Sequence, residues 1–340
     1  TPAPGHSGFE GKLGKFLPFG SYFHYLHHRL FECNYGESTI PLDKWLGIFE
    51  DGSKTQTEKQ AAAYAFQKLR VSKVIDETPE VKSFYLKSSN GKELKPNLAG
   101  QHLTLKVPLH KRKLYLNQQN KDVEIKYALR NYTISNIFEN NEYRISVKKE
   151  SGGLVSTALH DSLKEGHVIE ARGPKGSFVY EYKKKKPGVF VAGGIGITPI
   201  LSMLKSLAKM KDETYLFLAV RNRKRLSFKE ELMQICRLNP KLKVFVFFSR
   251  EKVKEGDEIC KIWKCFDKRL DIESLKKILP GSKHFGFYIC GPREMTQMLV
   301  TEIAQWKGNK SPVYVEDFKG IQKGKNRMNE KKTIQVHFKK

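Results

Sequence analysis

Apolar positions alternate with polar ones, or cluster as β-branched and aromatic residues, in four short stretches of the first half of the chain, at residues 71–76, 81–86, 102–107 and 143–148. β-Branched and aromatic residues fill these stretches and Gly, Pro and Asn separate them, which predicts strands joined by turns. Several short strands at this spacing predict a small antiparallel barrel. From residue 187 the pattern changes. Apolar runs at 189–192, 215–220, 244–248 and 285–290 alternate with helix-periodic stretches at 199–207, 228–238, 271–279 and 294–306, and a last strand-like run covers 313–316. Apolar strands alternating with helices predict a parallel sheet covered on both faces. The expected fold is therefore an antiparallel β-barrel followed by a doubly wound parallel-sheet α/β domain. The expected boundaries are an N-terminal extension over 1–69 with a short helix at 60–69, the barrel over 70–182, the α/β domain over 183–318, and a basic tail over 319–340.

Composition adds a charge and removes some classes. Of 340 residues, 39% are apolar and 29% charged, as in a globular protein with well-formed cores. The longest apolar run, 189–204, is broken by Gly193, Gly194, Gly196 and Pro199 and is too short to span a bilayer. Nothing near Thr1 reads as a secretory leader. The net charge is +26, and the body remains strongly basic without the tail. This points to an acidic partner protein or an anionic surface, although a lysine-rich composition alone gives the same number. No nucleic-acid-binding signature accompanies it, so no specific nucleic acid is expected. The five cysteines are scattered without a CxxC pair, which argues against a disulfide framework or a zinc ribbon and for a cytoplasmic setting.

Candidate chemistry concentrates in glycine turns. Residues 193–199, Gly-Gly-Ile-Gly-Ile-Thr-Pro, stand directly after a buried-type strand and before a helix. Glycines there let the backbone approach a diphosphate, and the helix start offers unpaired N–H groups and a positive dipole end. In the barrel region, Arg130, Tyr132 and Thr133 fall in one short strand-like run, followed by Gly152 and Gly153 before a short helix. Arginine grips phosphate in a bidentate fork. A tyrosine two residues on shares its strand face and stacks on flat rings. No Ser-His-Asp arrangement stands out.

Arg130-x-Tyr-Thr, the Gly152-Gly-x-x-Ser segment, Gly193-Gly-x-Gly-x-Thr-Pro, Cys290-Gly-Pro and Glu316-Asp-Phe resemble the ferredoxin–NADP+ reductase superfamily in residue type and order. The resemblance spans residues 70–318 and is strongest to the branch of oxygenase reductases, flavohaemoglobin reductase modules and desaturase partners. It implies a flavin-binding barrel and an NAD(P)-binding sheet that take hydride from NAD(P)H onto FAD, with FMN as the alternative. Single electrons then pass to an iron–sulfur or haem acceptor such as a ferredoxin-like, oxygenase or desaturase component; the alternative is a non-catalytic flavin- and nucleotide-binding regulatory or scaffold protein of the same fold.

The resemblance also implies roles. Arg130 would hold flavin phosphate, Tyr132 would stack on the ring system, and Thr133 would bond near its reactive nitrogen. Val147 and Lys148 would line the flavin, and Gly153, Leu154, Val155 and Ser156 would cradle its phosphate. Gly194, Gly196 and Thr198 would line the nucleotide diphosphate, with Cys290, Gly291 and Pro292 beside the nicotinamide and Glu316 and Phe318 near the flavin face. Arg221 and Arg223 suit a 2′-phosphate and so favour NADPH, but arginine also occurs there in NADH-using relatives. The catalytic set is thus Thr133, Cys290 and Glu316, with no metal ligand.

Two segments fall outside the resemblance. His24, His27 and His28 share a helical face, but a histidine cluster docked on the barrel is the expected reading rather than a metal site. The aromatic, basic stretch 12–31 also keeps a peripheral anionic-membrane contact open. Residues 333–338 look like the first strand of the 2Fe–2S ferredoxin domain that follows in some relatives, whose CxxxxCxxC ligands do not occur before Lys340.

Overall fold

The structure, a computed structural model, describes residues 65–115, 122–180, 187–210, 212–254 and 256–318. The histidine cluster and the basic tail lie outside the described residues.

The first sheet is built from β1 (Gln67–Thr78), β2 (Val81–Ser88), β3 (His102–Tyr115), β4 (Asp122–Thr133), β5 (Glu142–Lys148) and β6 (Val168–Lys175). Its order is β4-β3-β6-β1-β2-β5, every pair antiparallel. A bridge from Ile134 to Ile145 joins its two ends into a barrel. Leu69, Phe84, Leu105, Ile145 and Val147 are fully buried in one core with Val155 and Leu159 of helix α1 (Leu154–Ser162), which plugs the barrel. The helix expected at 60–69 is corrected at its end: residues 67–69 belong to β1, because Leu69 buries in the barrel core and pairs with Ile169. Of β4 only the end around Arg130–Thr133 was expected as strand, and β6 was not expected.

The second sheet contains β7 (Gly188–Gly193), β8 (Thr214–Val220), β9 (Leu242–Phe248), β10 (Lys264–Phe266), β11 (Gly286–Cys290) and β12 (Val313–Glu316). Its order is β10-β9-β8-β7-β11-β12, all parallel. The connecting helices are α2 (Ile197–Leu207), α3 (Lys229–Leu238), α4 (Glu258–Ile262), α5 (Ile272–Ile278) and α6 (Arg293–Lys307). Alternate residues of each strand feed two separate cores: Phe190, Leu216 and Leu218 pack under α2 and α3, whereas Val191, Phe217 and Phe287 pack under α5 and α6. The helix-periodic stretches all form, displaced by one or two residues. Cys260 and Cys265 are paired in a disulfide with Cα atoms 5.3 Å apart, a local crosslink that the scattered spacing did not predict. Among the described residues no helix is long and apolar enough to cross a membrane.

Candidate functional site

Strand order in the second sheet reverses at β7: β8 lies on one side and β11 on the other. In an open parallel sheet this switch point opens a crevice at the carboxyl ends of the strands. The residues at its mouth are the turn after β7, Gly194–Gly196, and the turn after β11, Gly291 and Pro292. They touch backbone to backbone. A Cβ at Gly196 would lie 2.2 Å from the carbonyl oxygen of Cys290, so only glycine lets the two turns approach. Thr198 is buried and its hydroxyl donates to the Ile195 carbonyl at 3.0 Å, which shapes the turn from within. No side chain caps α2.

Cys290 ends β11 with its thiol fully buried, and burial, then the Glu316 and Asp317 carboxylates, push it well above the ordinary thiol range. Glu316 sits directly across from Cys290 in the β11–β12 ladder. Burial, reinforced by Asp317, raises its carboxyl to about 7. Two residues on, Phe318 is 44% exposed.

The barrel side is built on β4 and α1. Arg130 and Tyr132 point to the same side of β4, opposite Leu105 and Leu103 of β3. Tyr132 packs on the rim of the barrel core, and burial pushes its hydroxyl up to about 12 against the pull of Arg130. Arg130 itself is exposed and donates to the Leu129 carbonyl at 2.7 Å. Thr133, the last residue of β4, is 5% exposed. Beyond β5 the chain turns through Gly152 and Gly153 into α1. Gly152 has φ +71, and the space where a Cβ would stand is open. No side chain caps α1 either; the Ser156 hydroxyl accepts from the Glu150 amide at 3.1 Å and holds the loop in place. Leu154 is half-buried and Val155 buried, both on the barrel core. His160 ties α1 to β5, its Nε2 2.8 Å from the Val147 carbonyl. Val147 therefore has both its side chain and its carbonyl engaged inside the barrel, while Lys148 pairs with Glu150 at 2.8 Å.

The two arginines after β8 fare differently. Arg221 is exposed. Arg223 is held by Glu251 at 2.5 Å and by Asp257, over the Phe248 ring. Its guanidinium is already neutralised by two carboxylates. Arg225 pairs with Glu80 of the β1–β2 turn at 2.6 Å.

Together these features test whether a flavin dinucleotide and a pyridine nucleotide fit. An exposed arginine, a half-buried ring beside it and an uncapped helix start with an open glycine suit a phosphate joined to a flat ring system. A glycine-lined crevice at the switch point, with a second uncapped helix, suits a diphosphate. Strand β5 of the barrel abuts the Gly194–Gly196 turn, so the two sets of residues belong to one region. What sequence reasoning missed is Arg144, a 1% exposed arginine on the side of β5 that faces away from the barrel core. A charged residue inside a strand-like run was its only signal.

Comparison with known proteins agrees with this division. Residues 68–180 match the model of an oxidoreductase FAD-binding domain, and residues 190–301 that of an oxidoreductase NAD-binding domain. The flavohemoprotein of Bacillus subtilis (strain 168) is 33% identical over 270 residues, covering 77% of this chain and 62% of that protein. The flavohem-like FAD/NAD-binding domain of nitric oxide dioxygenase from Vibrio cholerae O1 biovar El Tor superposes with a TM-score of 0.60 at 25% identity, covering 74% of this chain and 99% of that one. Phthalate dioxygenase reductase, described as transferring electrons from pyridine nucleotides to [2Fe–2S], gives a TM-score of 0.55 at 26% identity, over 74% of this chain and 68% of that one. The chain belongs to the FAD- and NAD-binding oxidoreductases of the ferredoxin–NADP+ reductase superfamily. The matched domains are those of an NAD(P)H–flavin oxidoreductase, with FAD as its flavin. The chain spans about three fifths of the length of the flavohemoproteins it matches.

Proposed function

We propose that this protein carries hydride from NAD(P)H to FAD across the boundary between barrel and sheet, and hands single electrons to a separate haem or iron–sulfur acceptor. The observation that supports this reading is the apposition of β5, which leads into the Gly152–Gly153 turn, to the Gly194–Gly196 turn. Bound FAD supplies the chemistry by accepting a hydride and releasing electrons one at a time.

The protein's own groups bind and orient. Arg130 and the N–H groups of Gly153, Leu154, Val155 and Ser156 hold phosphate at the barrel, and Tyr132 offers its ring face. Thr133 presents a buried hydroxyl at the strand end, and Lys148 with the Val147 backbone edges the same region. Across the boundary, Gly194 and Gly196 admit the diphosphate, and Thr198 keeps the turn in shape. Cys290, Gly291 and Pro292 wall the nicotinamide end of the crevice, with Glu316 behind it as a carboxyl poised to hold or release a proton near neutral pH. Phe318, two residues beyond Glu316, offers an exposed ring. Preference for NADPH rests on Arg221, because Arg223 already has two carboxylate partners. The net charge of +26 suits an acidic acceptor, whose association would then weaken with salt.

Anaerobic titration with NADPH and, separately, NADH tests the reading. The flavin absorbance should bleach, faster with NADPH. A flavin that neither nucleotide bleaches would overturn the catalytic reading. Arg130→Ala should lower flavin affinity by about 10- to 100-fold through loss of a charge-assisted contact. Cys290→Ala should keep its flavin and slow the bleaching.

A further inference from the structure

Strand β5 buries two unlike faces. Tyr143, Ile145 and Val147 enter the barrel core, whereas Arg144 points away from it and is nonetheless 1% exposed. It is buried because α3 of the other domain stands against it. Arg144 Nη1 donates to Glu231 Oε1 at 2.5 Å and Nη2 donates to Oε2 at 3.1 Å, a bidentate fork between the domains. The remaining donors turn back into the barrel: Nε reaches the Ser135 hydroxyl at 3.0 Å and Nη2 the Ser135 carbonyl at 2.7 Å. Below them a hydroxyl chain continues from Ser135 to Ser146 and Ser83, each step 2.8 Å, and ends on Glu77 at 2.6 Å. The guanidinium is thus fixed from its own side before it meets Glu231.

Glu231 is held equally firmly. It lies in the first turn of α3, where the helix dipole favours a carboxylate. The residue before that helix, Phe228, is 4% exposed and adopts φ +61, a left-handed conformation that a bulky residue takes only when its surroundings impose it. Its ring lies 5.1 Å from the Arg144 guanidinium. Lys205 of α2 makes a second ion pair with the same Glu231 carboxylate. Burial disfavours the Glu231 charge, but Arg144 and Lys205 outweigh it and hold the carboxyl below its ordinary range.

One carboxylate therefore joins three elements: β5, which runs into the Gly152–Gly153 loop and α1; α2, which starts at the Gly194–Gly196 turn; and α3 itself. The first two carry the two half-sites. We infer that Arg144 and Glu231 are positioning residues that set the distance and angle between the barrel half-site and the nucleotide crevice, so that hydride transfer depends on a contact made by neither ligand. This inference rests on the reductase reading above. Other contacts cross the same boundary, among them the Gly100 amide to the Ser202 hydroxyl at 2.9 Å, Arg225 to Glu80 at 2.6 Å and the Phe178 ring against Tyr288. They hold the domains together when Glu231 is altered, so its loss changes an angle rather than releasing a domain.

The test compares the full-length holoprotein with Glu231→Gln, which keeps size and removes charge, and Arg144→Lys, which keeps charge and removes the fork. Both should bind FAD as the wild type does and keep their KM for the nucleotide. Bleaching at saturating nucleotide should slow by about 10- to 100-fold, the effect expected of a small misplacement of reacting groups. A wild-type rate at saturation in either variant, or a loss confined to KM or to flavin content, overturns the inference. Amide hydrogen exchange without nucleotide provides a second readout. In Glu231→Gln the first turn of α3 and the end of β5 should exchange about tenfold faster or more, and unchanged exchange overturns the inference as well. A wild-type flavin that never bleaches refutes the reductase reading instead, and the exchange experiment then still decides the clamp.

Discussion

Two glycines, Gly152 in the barrel and Gly196 in the α/β domain, stand in turns that lead into uncapped helices and read alike in the sequence, yet they answer opposite physical demands. At the start of α1, Gly152 stands in open space, and glycine is there because the backbone turns through φ +71. At the start of α2, Gly196 is pressed against the Cys290 carbonyl, where a Cβ would come within 2.2 Å. The first glycine leaves the space around it empty. The second removes a side chain so that two strand ends can close on each other and define the floor of a crevice. A glycine in a turn before a helix is thus not one signal: it marks either room left open, as at Gly152 and Gly194, or room already filled, as at Gly196.

The sharpest way to break this comparison is alanine at the second turn. Gly196→Ala forces the Cys290 turn away from β7, because a carbonyl cannot rotate aside as a long side chain does. We expect a loss of about 3 kcal/mol or more, at the upper end of overpacking costs, measured by urea denaturation of the holoprotein. Should Gly196→Ala unfold like the wild type, the contact between the two strand ends is not a constraint.

The two half-sites also differ in charge: an exposed cation at the barrel, a half-buried carboxyl at the crevice. Glu316 is raised to about 7 in the fold, above the roughly 4.3 of an unfolded glutamate. The folded state therefore holds its proton longer than the unfolded state does. The associated stability is fully present below the unfolded value and is lost as pH rises toward about 7, after which it is flat. Allowing for the partial exposure of the residue, the loss amounts to about 2 kcal/mol. Glu316→Gln should remove that part of the pH dependence, so the difference in melting temperature between variant and wild type should grow between about pH 4.5 and 7 in favour of the variant. A difference that stays constant with pH would contradict the raised carboxyl.

The smallest effect belongs to the open turn. Gly152→Ala meets no atom and should cost only the left-handed conformation, about 1 kcal/mol, read by the same denaturation. Its ratio to the Gly196→Ala effect measures how far packing, rather than backbone conformation, separates the two turns.

Most of the fold was legible because its periodicities are clean. The runs at 189–192 and 215–220 are apolar on both faces, as a strand covered by helices on both sides must be. β4 and β6 were harder. β4 does alternate, with Val123, Ile125, Tyr127 and Leu129 at every second position, but Tyr127 and Leu129 face outward while Ala128 and Tyr132 pack on the core, so its pattern misreports its buried face; β6 is interrupted by Gly173 and Pro174. The helix expected at 60–69 gave way at residues 67–69 because Leu69 has a place in the barrel core, a nonlocal fact that local propensity does not contain. The Arg223 side chain presents the same lesson within the site. Its charge is plain in the sequence, but Glu251 and Asp257, which occupy it, are 28 and 34 residues away along the chain.

The sequence by itself determined the class of each half: period-two alternation for the barrel, buried strands with amphipathic helices for the sheet, and glycine turns where backbone must come close. Only the tertiary structure decided what lies between them. Arg144 and Ser146 occupy the polar positions of an alternating strand and would face water in an isolated barrel. Arg144 is instead closed off by a helix that begins 85 residues later, with Glu231 in its first turn. Periodicity reports which face of a strand is apolar; it carries no information on whether a second domain covers the polar face. Burial of that charge depends on a partner placed by the whole fold.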